Sequence, residues 1–378
     1  MRITVLQEIP EDPTLQSQWN ELVLRVENPQ VFYTYEWSLA VQRAYGHALR
    51  PLVFLAYDQS NALCGLVSLA LNPQGTRTTF LCATTGDYCD FLSTSDNKLE
   101  LVSLVMSDLA QRKIGEVTLT NLPADSTTVS AIKQISARTG YHFFARTAYI
   151  CAQVRLSEIQ LRPGDNKLML PGRKMVRRSL GAMGRESLVR LEHANTRDAA
   201  ASILPEFIEA HVARFSAMGR VSNLAQPERR HFLEELTRLL ASPGWLALTR
   251  MMSGERALAW NYGFRFQHTW FWYQPTFVTD LERFSPGFCL LSKLIEEAAE
   301  DSALQVVDLG LGAEEYKDRF ANQSRETLYV TLRQSLAKHV KEVLRYRTAE
   351  AIRKIPPLEK SARRVISSLR SLWRSKTE

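Results

Sequence analysis

The chain has 378 residues, 45% of them hydrophobic and 23% charged, a soluble globular balance with enough length for two domains and substantial cores. No apolar run approaches the ~20 residues needed to cross a bilayer, and the start, Met1 to Glu8, lacks the cationic and long apolar segments of a signal peptide. The net charge of +7 is uneven: 13 of the 47 Lys and Arg but 4 of the 40 Asp and Glu lie from Arg333 onward, a local +9 that leaves the rest at −2. Five scattered cysteines (Cys64, Cys82, Cys89, Cys151 and Cys289) include no Cys-x-x-Cys pair. That predicts reduced thiols in a cytoplasmic protein and argues against a zinc site.

In chain order, residues 3–6 read as a strand and 14–26 as a helix with Leu15, Trp19, Leu22, Val23 and Val26 on one face. The run Phe32-Tyr33-Thr34-Tyr35-Glu36-Trp37 leads into a second helix ending near Gly46. Strands at 51–57 and 64–71 are joined by a polar turn, and strand pieces at 80–82 and 90–92 flank Thr84-Thr85-Gly86-Asp87-Tyr88. A helix at 99–113, a strand at 116–121, a helix at 126–140 and a long strand at 141–154 close the half.

The polar, Pro/Gly-containing connection at 162–170 is the expected boundary, giving domains at 1–160 and 161–332 with a tail at 333–378. The second half opens with a basic helix around Arg173-Lys174-Met175-Val176-Arg177-Arg178 and a strand at 188–192. Helices at 197–218 and 227–240 precede three strands at 245–251, 256–266 and 269–274, the last two rich in aromatics. A strand at 326–332 closes it. The halves repeat one order of elements, which predicts a duplicated α/β (α+β) architecture with helices on both faces of the sheet.

Between those strands lies the stretch most able to carry chemistry. Ser285-Pro286-Gly287 opens a helix whose Phe288, Leu290, Leu291, Leu294 and Ile295 share an apolar face. Such a start offers unpaired N–H groups and a positive dipole end, which suits a phosphate. Val306-Val307-Asp308 then reads as a strand running into Leu309-Gly310-Leu311-Gly312, with Glu314, Glu315, Tyr316 and Lys317 beginning another helix. An anion cradle, an acid at a strand end and a tyrosine at a helix start together describe a site for a phosphorylated carrier.

Six motifs in order give the second half and its surroundings a family likeness. They are the aromatic–Trp helix start at 32–37, Gly86-Asp87-Tyr88-Cys89-Asp90, the basic helix at 173–178, His211-x-x-Arg214, Ser285-Pro286-Gly287, and Asp308-x-Gly310-x-Gly312 with Tyr316-Lys317. Over roughly residues 30–320 the chain resembles the tandem GNAT-fold acyltransferases of the CelD-like (cellulose biosynthesis) acetyltransferase family, relatives of the Fem-type transferases. It departs from the general acetyltransferase pattern in having Phe284-Ser285-Pro286-Gly287 where an Arg/Gln-x-x-Gly-x-Gly loop is usual.

The resemblance implies transfer of an acetyl or longer acyl group from coenzyme A to an amine, with no metal. It hints at an amino sugar or another exopolysaccharide or envelope precursor as acceptor. Tyr316 takes the position of the general acid that protonates the departing thiolate, against a half-buried tyrosine at a helix start. Ser285, Gly287, Phe288 and Lys317 are the expected carrier contacts, Lys317 balancing phosphate or oxyanion charge or standing solvated. Asp308 is read as base, as an orienting group, or as a cap on the next turn. His211 lies on an apolar helix face, so a core histidine is the default and a base the second reading. Asp90 reaches the site only if the halves face one another across a cleft; otherwise it is a turn aspartate. Arg173, Lys174, Arg177 and Arg214 are candidates for an acidic substrate group, against a solvated basic face. Trp272, with Trp260, Tyr262, Trp270 and Tyr273, is core or a sugar-stacking wall.

Pro356-Pro357 splits the tail into two helical pieces, one with the stripe Leu336, Val340, Val343 and Leu344, the other with Val365, Ile366, Leu369, Leu372 and Trp373 amid arginines. Three readings stand: an anchor at the inner membrane face, solvated helices packed on the body, and a groove for RNA. The competing functions are a Fem-type aminoacyl-tRNA-dependent transferase and a non-catalytic binding protein of the same fold.

Overall fold

In the computed structural model, residues 1–163, 167–185, 187–194, 196–312 and 314–353 are described. The first half runs β1 (Arg2–Leu6), α1 (Pro13–Arg25), α2 (Tyr35–Tyr45), β2 (Arg50–Tyr57), β3 (Leu63–Leu71), β4 (Arg77–Phe80), β5 (Leu92–Ser93), α3 (Ser95–Gln111), β6 (Glu116–Pro123), α4 (Thr127–Ser136) and β7 (His142–Arg155). The second runs α5 (Arg173–Met183), β8 (Val189–His193), α6 (Arg197–Ala217), α7 (Pro227–Ala241), β9 (Leu246–Ser253), β10 (Arg256–Phe266), β11 (Thr269–Phe277), α8 (Pro286–Glu300), β12 (Val306–Asp308), α9 (Glu315–Phe320) and β13 (Gln323–Arg333). The helix α10 (Leu336–Arg353) follows.

Local chemistry sets many of these bounds. The Asp12 carboxylate accepts the Thr14 N–H and Pro13 fills the first position, so α1 starts there, and Leu15, Trp19, Leu22 and Val23 turn inward at helical spacing. The Thr34 hydroxyl accepts the Trp37 N–H to open α2. α3 begins at Ser95, four residues before its apolar pattern, because a polar first turn precedes Leu99. The expected strand at 80–82 shifts to β4, and 81–85 turns instead, closed by the Thr85 and Gly86 N–H groups on the Cys82 carbonyl.

The strands form one sheet in the order β1-β2-β3-β4-β6-β13-β7-β12-β11-β10-β9-β8, with β5 on β3. Apart from α5 and β5, the two halves list the same elements in the same sequence, and the sheet is a palindrome about the β13–β7 pair. The closing strands are exchanged. β13 from the second half pairs with β6 of the first, while β7 reaches across to β12. Their mutual ladder runs from Gln323↔Gln153 to Arg333↔His142, so the sheet is continuous across the connection that the sequence marks as a boundary.

One core serves both halves. Phe32 and Trp37 from the first half stack edge-to-face with Phe271 and Phe264 of the second, at ring separations of 5.3 and 5.1 Å. A second apolar cluster lies beneath α5 and α8. α10 rests on β7 and β13 through Arg333–Glu342 (2.6 Å) and a Phe144–Tyr346 ring contact at 5.5 Å. Leu336, Val340 and Leu344 of the predicted stripe face outward on it. The second predicted stripe, from Val365 to Trp373, falls outside the described residues. No described helix is long and apolar enough to cross a membrane.

Candidate functional site

β12 is short, and that shapes the site. It pairs in parallel with β11 only from Thr269↔Val306 to Phe271↔Asp308, and then turns away while β11 continues to Phe277. Among the described residues no strand pairs with that edge of β11 beyond Phe271, so a wedge with free backbone groups opens between β11 and the 309–312 turn. α8 starts at its mouth. Ser285 sits in the left-handed region (φ 50°) without capping the helix by its side chain, and Pro286 supplies the fixed first position. The first-turn N–H groups of Gly287 and Phe288 have no intrahelical acceptor and carry the positive end of a helix of 15 residues. A methyl group at Gly287 would touch only the Phe277 ring, at 3.4 Å, so the glycine keeps the mouth narrow-walled but open.

Tyr316, at the start of α9, is held by one bond. Its hydroxyl accepts the indole N–H of Trp272 at 3.0 Å. An indole N–H can only donate, so the direction is fixed and the tyrosine's own proton is left for another acceptor. Burial pushes Tyr316 up to about 12, so that proton stays in place at neutral pH. Trp272 is 2% exposed, and Trp260, Tyr262 and Trp270 are buried beside it, because helices cover both faces of these strands. Trp272 therefore offers no sugar-stacking face and does not bind substrate by stacking.

At the closed end of the wedge the halves interlock. Asp308 is 2% exposed. Its Oδ2 accepts the Tyr88 hydroxyl (2.8 Å) and the Gln153 amide (2.7 Å), and its Oδ1 accepts the Gly310 N–H (2.8 Å). A carboxylate with three donors is a turn cap and a tie between halves, the capping role the sequence allowed. Asp87 approaches from the first half: a methyl group at Gly310 (φ +68°) would lie 2.5 Å from its Oδ2 and 3.6 Å from the Trp272 carbonyl. Only glycine fits there. Lys317, expected at a phosphate, is 4% exposed and instead donates to the Leu311 carbonyl (2.7 Å) and pairs with Glu314 (2.9 Å), pinning the glycine turn.

Burial, and next the Asp308 carboxylate, push Asp87 up to about 7, against Lys317 and the Leu311 N–H. The folded chain thus holds this proton more tightly than the unfolded one, whose value is near 3.8. Its contribution to stability is full below about 3.8 and is lost as pH rises through about 7. Asp87→Asn is expected to flatten that decline, checked by urea midpoints of both proteins between pH 4 and 8; parallel curves would place Asp87 in water.

The remaining expected residues divide. Arg214 reaches the wedge, donating to the Pro275 carbonyl at 3.3 Å and lying 4.3 Å over the Phe277 ring, with Tyr316 in its field. Arg173, Lys174 and Arg177 are exposed on α5, which packs against α8. Phe288 is buried under Arg319 and against Phe320 (4.6 Å), so it is a wall of the site and not a surface for the carrier. His211 is not a base: it is buried, bonded through Nδ1 to Ser222 (2.8 Å), stacked on Phe215, and lowered to about 4 by burial and then Arg214. Asp90 lines a separate cavity of the first half, away from Tyr316. Sequence reasoning put its weight on Asp90 and passed over Asp87, three residues earlier; only the contact with Gly310, 223 positions on, separates the two acids.

Residues 172–318 match the family described as an acetyltransferase (GNAT) domain. No curated protein matches the chain. FemX superposes with a TM-score of 0.58 at 9% identity, covering 91% of this chain and 99% of that one. A conserved protein of unknown function from Bacteroides thetaiotaomicron gives 0.58 at 11% identity, covering 88% and 100%. L-PGS from Bacillus licheniformis gives 0.55 at 12%, covering 91% and 98%. At these identities the likeness is one of fold: the chain has a mixed α/β, GNAT-like architecture.

Proposed function

With an acetyltransferase domain over residues 172–318 as premise, we propose that the chain is an N-acyltransferase that moves an acetyl or longer acyl group from acyl-CoA to an amine. The observation that carries this reading is the Tyr316 hydroxyl, oriented by Trp272 with its proton free at the mouth of an open strand edge. The carrier's phosphates sit at the start of α8 beside Arg173 and Arg177, and its thioester arm lies along β11. The amine nitrogen attacks the thioester carbonyl, a C–N bond forms and the C–S bond breaks. Tyr316 donates a hydrogen bond to the departing sulfur, and Asp87 takes the amine's proton. An amino sugar or envelope precursor as acceptor rests on the CelD-like resemblance alone. The outward stripe of Leu336, Val340 and Leu344 supports a membrane-facing α10.

Calorimetry with acetyl-CoA and with free CoA tests the carrier. Micromolar binding is expected, weakened at least about 100-fold in Gly287→Trp, whose indole fills the wedge mouth, and nearly unchanged in Gly287→Ala. Absence of binding to either ligand would remove coenzyme A from the reading.

One observation favours a second reading. A groove of about 650 Å³ beneath α10 gathers Arg146, Arg333, Lys338, Lys341 and Arg345 around Tyr329 and Tyr346, with Glu342 as counter-charge. Together with the FemX-like fold this suits an aminoacyl-tRNA donor. Steeply salt-dependent tRNA binding, lost on Lys341→Glu with Arg345→Glu, would favour it over acyl-CoA.

A further inference from the structure

The first half carries a cavity of about 240 Å³ that the wedge chemistry does not use, lined among others by Tyr33, Asp90, Lys98, Thr127 and Arg325. By the repeat of elements it stands where the wedge stands in the second half, with α3 in the place of α8. The starts of α3, at Ser95, and of α4, at Thr127, both border it.

Its walls are polar in two senses. Lys98, 7% exposed, donates to the Phe91 carbonyl; an ammonium has three protons to give. Arg325 stands nearby, 5.0 Å over the Tyr88 ring and paired with Asp125 at 3.1 Å. Two acceptors line the cavity as well. Asp90 takes the Phe91 N–H on Oδ1 (2.7 Å), and its Oδ2 has no partner among the described residues. Tyr33 is also 7% exposed, and its hydroxyl lines the cavity in the fields of Asp90 and Arg325 with no partner among the described residues. The Tyr33 hydroxyl is not among the buried unmatched atoms and so opens to the cavity, where it offers a polar ligand a bonding group. Groups of both signs thus line one small cavity beside two helix starts, with Arg325 and Asp90 both acting on the Tyr33 hydroxyl and Asp90 on Lys98.

We propose that this cavity binds a small zwitterion, an amino-acid-like ligand whose ammonium pairs with Asp90 and Tyr33 and whose carboxylate faces Lys98 and the starts of α3 and α4. The volume suits a ligand of few heavy atoms, below the range of drug-sized sites. The proposal stands independently of what binds at the wedge.

Thermal-shift screening of the whole chain against the twenty coded L-amino acids, with acetate and methylammonium as single-charge controls, tests it; hits go to calorimetry. At least one amino acid is expected to bind saturably with a Kd under about 1 mM, while neither control binds at about 10 mM. Asp90→Asn and Tyr33→Phe should each weaken the binding at least about tenfold. Tyr33→Phe keeps the ring and its packing, so it remains informative if Asp90→Asn melts early. Failure of all twenty to bind, acetate binding as tightly as the best of them, or undiminished binding in Tyr33→Phe overturns the proposal.

Discussion

Tyr316→Phe is expected to slow acyl transfer by about 10²–10⁴-fold, the range for losing a positioned acid, while the Kd for acetyl-CoA moves little. The hydroxyl does not shape the wedge; it only meets the sulfur as charge develops there. At about 12 its acidity is well below that of a thiol, at roughly 8.5, so it stabilises the thiolate by hydrogen bonding without surrendering its proton first. The variant also strands the buried Trp272 indole N–H, which costs about 1–3 kcal/mol and should lower the melting temperature. Trp272→Phe makes the complementary test: the proton remains but its direction is lost, and a smaller drop in kcat with unchanged KM is expected. With Asp87 as base, the wild-type rate should rise with pH through about 7 and show no fall from Tyr316 before about 12 is approached. Full turnover in Tyr316→Phe would move the weight to a binding protein.

Asp308→Ala should be among the most destabilising single changes in the chain. It strands the buried Tyr88 hydroxyl and Gly310 N–H and the half-buried Gln153 amide, at about 1–3 kcal/mol each for the buried donors and less for the amide. Relief of its repulsion with Asp87 and local relaxation offset part of that, which leaves a loss of about 4 kcal/mol against a typical total of 5–15. Denaturant midpoints measure it, and a loss under about 1 kcal/mol would show that the tie is dispensable. Asp308→Asn retains shape and one acceptor and should cost less. Because Asp308 is the leading charge holding Asp87 up, the Asn variant should also move the Asp87 midpoint below about 7.

The order of elements was legible because spacing and punctuation are local properties. The Ser285-Pro286-Gly287 start, the apolar face of α8, and the acid at the end of β12 all follow from residues within one or two turns of each other. What each acid does was not legible. Asp308 finds its partners at positions 88 and 153, and Asp87 meets the turn at 310–311, distances along the chain at which no periodicity speaks. Lys317 reads as solvated or phosphate-facing in sequence, yet the glycine turn brings the Leu311 carbonyl back within reach of its ammonium. The exchange of β7 and β13 was hidden for a similar reason: a strand's apolar alternation tells which faces it buries and not which neighbour it pairs with. The length of β7, 14 residues, is the single local hint that it serves two ladders.

That exchange has a temporal side. The Arg333–Glu116 pair closes a loop of 217 positions. At a synthesis rate of about 5–20 residues per second, β6 waits on the order of 10–40 s on the ribosome before β13 emerges beside it. Through that interval the first half can assemble its helices and outer strands, but the edges of β6 and β7 stay unpaired, open to any passing strand. Two such chains, caught at the same stage, could satisfy each other's edges, so the fold's chief hazard is a swapped dimer made during birth.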